Sequence, residues 1–98
     1  MRVVSNTSPI SNLAIIGRLE LLQRRYQIVR IPPAVRRELE ALSHPTAKRA
    51  VDDALATGWI RTEELLHPVS TLAAQLDPGE TEAIALALQN QADVLLMD

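Results

Sequence analysis

Short apolar runs alternate along the chain with longer segments in which apolar residues recur at helical spacing. The runs predict short strands at residues 2–5, 27–31, 59–62 and 93–98, the third of them minor. The last run is almost wholly apolar, which is typical of a strand buried on both faces of a parallel sheet. This alternation predicts an α/β layered fold with a small, mostly parallel sheet.

The segments between these runs carry helix-start and helix-stop residues. We expect Ser8 to cap a helix with Pro9 at its first position, Pro33 to begin another, and Thr46 to cap a third that ends at Gly58. Residues 65–76 are ambiguous and are expected to be helical after Pro68. The helices are expected to start at or near Ser8, Leu19, Pro33, Thr46 and Pro78.

The helix that follows Asp77 and Pro78 places a carboxylate among apolar residues. On a helical wheel one stripe contains Glu80, Ile84, Ala87 and Gln91, whereas Glu82 points elsewhere. A charge at the head of an apolar face is penalised by desolvation unless it meets a cation or another partner. Glu80 is therefore a candidate ligand.

The helix from Pro33 offers a second candidate. Its apolar stripe contains Val35, Leu39 and Leu42, which places Glu38 at the border of the core and Glu40 in water. Glu38 is thus expected to line a cleft.

Composition limits the class of protein. Ninety-eight residues suit one domain, 1–98, with an aliphatic core because Phe is absent and Trp and Tyr occur once each. The absence of cysteine excludes disulfides and thiolate metal sites, and no apolar run is long enough to span a membrane. The two histidines each precede proline and are expected at the surface. We expect a cytoplasmic protein.

Charge is divided unequally between the halves of the chain. Residues 1–50 carry nine basic against three acidic residues, and residues 51–98 carry one basic against nine acidic residues. The split indicates either a basic surface for a polyanion beside an acidic pocket for cations, or only solvated helix faces that segregate. Candidate phosphate contacts are Arg36, Arg37, Lys48 and Arg49.

Four polar residues are expected at one rim of this fold. Asn6 ends the first strand, Asp98 ends the last, and Glu38 and Glu80 lie on helices that border the same rim. Converging carboxylates repel one another unless a cation is bound, and oxygen-only ligands favour Mg²⁺ or Mn²⁺ over zinc. Such ions activate water and stabilise charge on a phosphoryl group.

Four segments in order resemble the PIN-domain family, in particular a branch of nucleic-acid-binding proteins related to VapC-type toxins. They are residues 3–10 (VVSNTSPI), 31–39 (IPPAVRREL), 77–87 (DPGETEAIALA) and 92–98 (ADVLLMD). The resemblance extends over the whole chain.

This resemblance implies a three-layer α/β/α fold and Mg²⁺- or Mn²⁺-dependent hydrolysis of RNA, often by the toxin of a toxin–antitoxin pair and often by a dimer. It implies that Glu38, Glu80 and Asp98 are metal ligands and catalytic residues. Asn6 occupies the position of a family aspartate, and Thr7 and Ser8 support the site. Because the family's last acidic position falls beyond Asp98, the domain is expected to be incomplete at its C-terminus.

Two alternatives to the nuclease stay open. Asn6 removes one negative charge from the ligand set, so the chain is alternatively a degenerate PIN module that binds RNA or a protein without cleavage. The other alternative is a fragment without either function, whose exposed strand edge drives self-association.

Overall fold

Four parallel strands form one sheet in the computed structural model, which describes residues 1–67 and 77–97. The strands are β1 (Val3–Ser5), β2 (Val29–Ile31), β3 (Ile60–Thr62) and β4 (Val94–Leu96). Their order in the sheet is β3-β2-β1-β4, with Val4 opposite Arg30 on one side and opposite Leu95 on the other. The four predicted strands are confirmed, and the sheet is parallel throughout.

Helices cover both faces of this sheet. Among the described residues they are α1 (Thr7–Ile15), α2 (Glu20–Tyr26), α3 (Pro33–Glu40), α4 (Pro45–Thr57) and α5 (Pro78–Asn90). On one face, Val4 packs with Ala83 and Leu86 of α5. On the other, α1 to α4 bury a larger aliphatic cluster that includes Ile10, Ile31, Val35, Leu39, Val51 and Ile60. The expected three-layer α/β/α arrangement is confirmed.

Two helices begin differently from the prediction. The backbone turns directly from β1 into α1, so Asn6 is the N-cap residue and Pro9 is the third residue of the helix rather than the first. Proline is tolerated there because the first backbone N–H groups of a helix have no partner within it. In α4 the cap is His44 instead of Thr46, since His44 Nδ1 accepts a hydrogen bond of 3.1 Å from the Ala47 N–H.

Other helix ends follow the prediction. Asp77 caps α5 by accepting hydrogen bonds from the N–H groups of Gly79 and Glu80, and Pro78 is the first helical residue. Gly58 ends α4 with a φ of 89°, and α3 begins at Pro33. The helix expected after Pro68 lies outside the described residues.

The orientation of α5 corrects the wheel analysis. Its buried residues are Gly79, Ala83, Leu86 and Asn90, whereas Glu80 is exposed and Leu88 is 76% exposed. Small residues at positions 79 and 83 let the helix approach its neighbours closely, so shape rather than bulk hydrophobicity selects the buried face. Glu80 therefore does not lie at the head of the core face.

The last strand also differs from expectation. The residues of β4 are only half-buried, and β4 pairs with β1 alone among the described strands. The prediction of a strand buried on both faces is wrong for the structure as described. Both histidines are exposed, as predicted. Within residues 1–67 and 77–97, no helix has the length and apolar content needed to cross a membrane.

The orientation of α5 can be tested with two leucines of that helix. Leu86→Ala should lower the free energy of unfolding by about 2–5 kcal/mol, because it opens a cavity at a fully buried position. Leu88→Ala, the control, should change it by less than about 0.5 kcal/mol. Urea denaturation of both variants measures the difference. An equal decrease in the free energy of unfolding for Leu86→Ala and Leu88→Ala would contradict the burial of Leu86.

Candidate functional site

The carboxyl ends of the parallel strands meet at one edge of the sheet, which we call the carboxyl edge. Asn6 follows β1 at this edge, and Pro32 leads from β2 into α3. The Asn6 N–H donates a hydrogen bond of 2.9 Å to the Leu96 carbonyl, which joins the ends of β1 and β4. Open α/β sheets bind ligands at this edge, so it is where a functional site is expected.

Asn6 carries a buried oxygen that lacks a hydrogen-bond partner. The residue is only 5% exposed, and its Oδ1 accepts no hydrogen bond from any described residue. The Ser5 hydroxyl donates to the Asn6 main-chain carbonyl at 2.8 Å, so it does not satisfy the side chain. An unpaired buried acceptor costs free energy, and it is a ready ligand for a cation.

Glu38 is held at the same edge by the residue that follows Asn6. The Thr7 hydroxyl donates a hydrogen bond to Glu38 Oε2. Gly79 of α5 also lies so close that a Cβ there would stand 2.5 Å from Oε2 and 2.7 Å from Oε1. The Glu38 carboxylate is therefore seated between the start of α1 and the start of α5, and any side chain at position 79 would displace it from this position.

Glu82 is a contributor that the sequence analysis missed. Its Oε1 accepts a hydrogen bond of 2.9 Å from the Ala34 N–H in the first turn of α3, and its Oε2 lies 3.9 Å from the Arg37 guanidinium. A carboxylate at a helix N-terminus is favoured by the unpaired N–H groups and the helix dipole. No sequence pattern indicates a bond between positions 48 residues apart.

These contacts join α3 to α5 at the carboxyl edge. We call the set formed by Thr7, Ala34, Glu38, Gly79 and Glu82 the α3–α5 junction. Glu82 links α5 to α3 through its hydrogen bond with Ala34, whereas Glu38 of α3 is hydrogen-bonded to Thr7 of α1 and lies against Gly79 of α5.

The structure describes two of the other predicted site residues, Glu80 and Ser8. Glu80 is exposed, but it follows Gly79 directly and so begins at the rim of the same edge. Ser8 is half-buried, and among the described contacts only its carbonyl takes part, as acceptor from the Ser11 hydroxyl at 3.3 Å. Asp98 lies outside the described residues.

The donors present fit a hard cation only in part. Asn6 Oδ1 and the Glu38 carboxylate are oxygen ligands of the kind that Mg²⁺ and Mn²⁺ prefer. In the part of the chain that the structure describes, however, three or more acidic, histidine or cysteine side chains are nowhere grouped closely enough to hold a metal ion. A complete site at this edge would need Glu80 to turn inward or Asp98 to contribute.

The four basic residues proposed for phosphate contact lie on α3 and α4. Arg36 pairs with Glu40 at 2.9 Å and Lys48 with Asp52 at 3.9 Å, both along a helix surface. Arg37 is 67% exposed at its side chain, and Arg49 is exposed. Ion pairs between exposed side chains contribute little free energy, so a phosphate can displace them.

Comparison with known proteins gives one family match. A family model described as a PIN domain matches residues 2–98. No curated protein and no solved structure matches the chain.

The Thr7–Glu38 hydrogen bond gives a test of the junction. Thr7→Val keeps the shape of the side chain but removes the donor from a partly buried carboxylate, so the free energy of unfolding should fall by about 1–2 kcal/mol. Thr7→Ser retains a hydroxyl and should lose less than half as much. Thermal or urea denaturation measures both. A Val variant as stable as the natural chain would contradict the contact.

Proposed function

The chain belongs to the PIN-domain family, and from this membership we propose that it is a divalent-metal-dependent endoribonuclease that hydrolyses RNA phosphodiester bonds. Membership indicates a nuclease-type function in general, and PIN domains generally use divalent metals. The observation that supports the metal site in this chain is the buried, unpartnered Oδ1 of Asn6 beside the junction that holds Glu38.

In this proposal Asn6, Glu38, Glu80 and Asp98 hold Mg²⁺ or Mn²⁺. Bound there, the ion would activate water and neutralise charge on the phosphoryl group. Asn6 would offer its Oδ1, which is buried and has no hydrogen-bond partner among the described residues. Thr7 donates a hydrogen bond to one Glu38 oxygen, and Gly79 leaves room for the carboxylate, so Glu38 is oriented before a ligand arrives.

The basic residues of α3 and α4 would contact RNA phosphates. Arg36 and Arg37 lie on the helix that carries Glu38, and Lys48 and Arg49 lie on the next helix. Contacts of this kind position the nucleic acid without reading its sequence.

The biological setting belongs to the same proposal. We propose a toxin role within a toxin–antitoxin pair, with a small antitoxin protein as partner and a homodimer as the working form. The family match supports this setting only through the nuclease class.

A second candidate is a PIN module that binds RNA or a protein without cleaving it. Two observations favour it. The side chain at position 6 is an amide, which brings no negative charge, and the described residues do not group three acidic, histidine or cysteine side chains closely enough to hold a metal ion. Such a module would bind RNA in a salt-dependent way that a chelator does not affect.

Cleavage of RNA by the full-length protein tests the nuclease. We expect cleavage with Mg²⁺ or Mn²⁺ and none with EDTA. Glu38→Gln should reduce the rate by about 100-fold or more, because it removes a ligand charge while keeping the shape. Glu20→Gln, at an exposed carboxylate of α2, is the matched control and should cleave normally.

Asn6→Asp separates the two candidates. If the natural chain is a nuclease, it cleaves without this change, and the added charge strengthens metal binding. If only the Asp variant cleaves, the natural chain is the binding module. If neither cleaves under any divalent metal, the nuclease proposal is wrong.

The phosphate contacts have a separate signature. Arg49→Ala should weaken RNA binding about equally for all sequences and lower the salt slope of log K by about one. Arg18→Ala, an exposed arginine on the α1–α2 connection, should leave the slope unchanged. Fluorescence anisotropy at several salt concentrations measures the slope for each variant. If the Arg49→Ala and Arg18→Ala variants had the same slope, RNA would not contact Arg49.

A further inference from the structure

The edge of the sheet opposite the candidate site contains a cavity whose wall combines two arginines with apolar side chains. It has a volume of about 400 Å³ and lies where the chain enters β1 and β2. We call it the amino-edge pocket. It is lined by Met1, Arg25, Tyr26, Gln27, Ile28 and Arg30. Because the strands are parallel, their carboxyl ends, with Asn6, lie at the other edge.

The wall of this pocket contains an unusual backbone turn. Gln27 has a φ of 68° and a ψ of −56°, and the Ile28 N–H donates to the Tyr26 carbonyl at 2.8 Å. This is a γ-turn with positive φ at its centre, which is rare and strained for a residue with a side chain. Backbone strain of this kind is concentrated at ligand-binding positions. The turn therefore favours a ligand-binding role for the pocket.

The side chains around the turn combine positive charge with an aromatic ring. The Arg25 guanidinium lies 5.8 Å from the centre of the Tyr26 ring. No acidic group of the described residues pairs with Arg25, which is exposed, whereas Arg30 is partly neutralised by Glu63 at 3.2 Å. Among the described residues, the pocket therefore offers one arginine without an acidic partner beside the ring of Tyr26, which is half-buried because the residue also packs against the core.

A ligand that suits these groups has an anionic group and a flat ring. Guanidinium groups bind phosphate through charge-assisted hydrogen bonds. Aromatic rings and arginine stack on nucleobases regardless of sequence, and this is the usual basis of single-strand binding. Carboxylate ligands such as acidic peptides would use the arginine but not the ring.

We propose that the amino-edge pocket binds one nucleotide of single-stranded RNA, with the phosphate on Arg25 and the base against Tyr26. The choice of RNA rests on the proposed function, but the pocket is separate from the carboxyl edge. It would hold a substrate strand at a second point without taking part in cleavage.

Mononucleotides test this assignment on the full chain without metal. In EDTA, AMP and UMP should shift the amide NMR signals of Tyr26, Gln27 and Ile28, and inorganic phosphate should bind at least about 5-fold more weakly because it lacks a ring. Arg25→Glu should weaken AMP binding about 10-fold or more. Arg24→Glu, with the same change in charge one residue away, should alter it less than about 2-fold.

Several results would overturn the proposal. These are the absence of localised shifts, an equal loss in the Arg24→Glu and Arg25→Glu variants, or phosphate binding as tightly as AMP. Arg25→Gln, which should retain the fold and also weaken AMP binding, replaces the Glu variant if that one is unfolded. NMR shifts on adding AMP without any RNA cleavage would support the pocket and count against the nuclease. RNA cleavage without NMR shifts would support the nuclease and count against the pocket.

Discussion

The close approach of α3 and α5 at the carboxyl edge is the constraint on which the candidate site depends. Gly79 leaves room for the Glu38 carboxylate, and Glu82 returns a hydrogen bond to the first turn of α3. Each helix thus supplies a carboxylate that is bonded to the neighbouring element. The two carboxylates use different donors, a hydroxyl and a backbone N–H, so they do not compete.

The rest of α5 shows why this approach is stable. Beyond the junction the helix buries Ala83 and Leu86 against Val4 of the central strand β1, and its C-terminal residue Asn90 donates to Glu63 at 3.2 Å. Burial of this aliphatic surface supplies the free energy that keeps α5 packed against the sheet. This burial offsets the cost of the unpartnered Asn6 oxygen at the carboxyl edge.

Much of the fold could be predicted from the sequence because it depends on local pattern. Apolar runs located the strands, and Asp77 and Gly58 marked helix ends through chemistry that acts within a few residues. The buried face of α5 could not be predicted in this way, because the helical wheel gave weight to Ile84 whereas close packing selected Gly79 and Ala83. The position of Asn6 and Glu38 at the carboxyl edge could be predicted from a strand end and a helix border, but their role as ligands stays a prediction. Glu82 was missed because its partner lies in a distant helix.

The central claim is that Asn6 and Glu38 share one divalent cation at the carboxyl edge. Paramagnetic broadening by Mn²⁺ in NMR spectra of the full-length protein tests it most directly, without requiring cleavage. The account predicts selective loss of the amide signals of Asn6, Thr7 and Gly79 at low Mn²⁺, with recovery on adding EDTA. Broadening centred instead on the exposed acids of α4, Asp52 and Asp53, or no localised broadening, would contradict it.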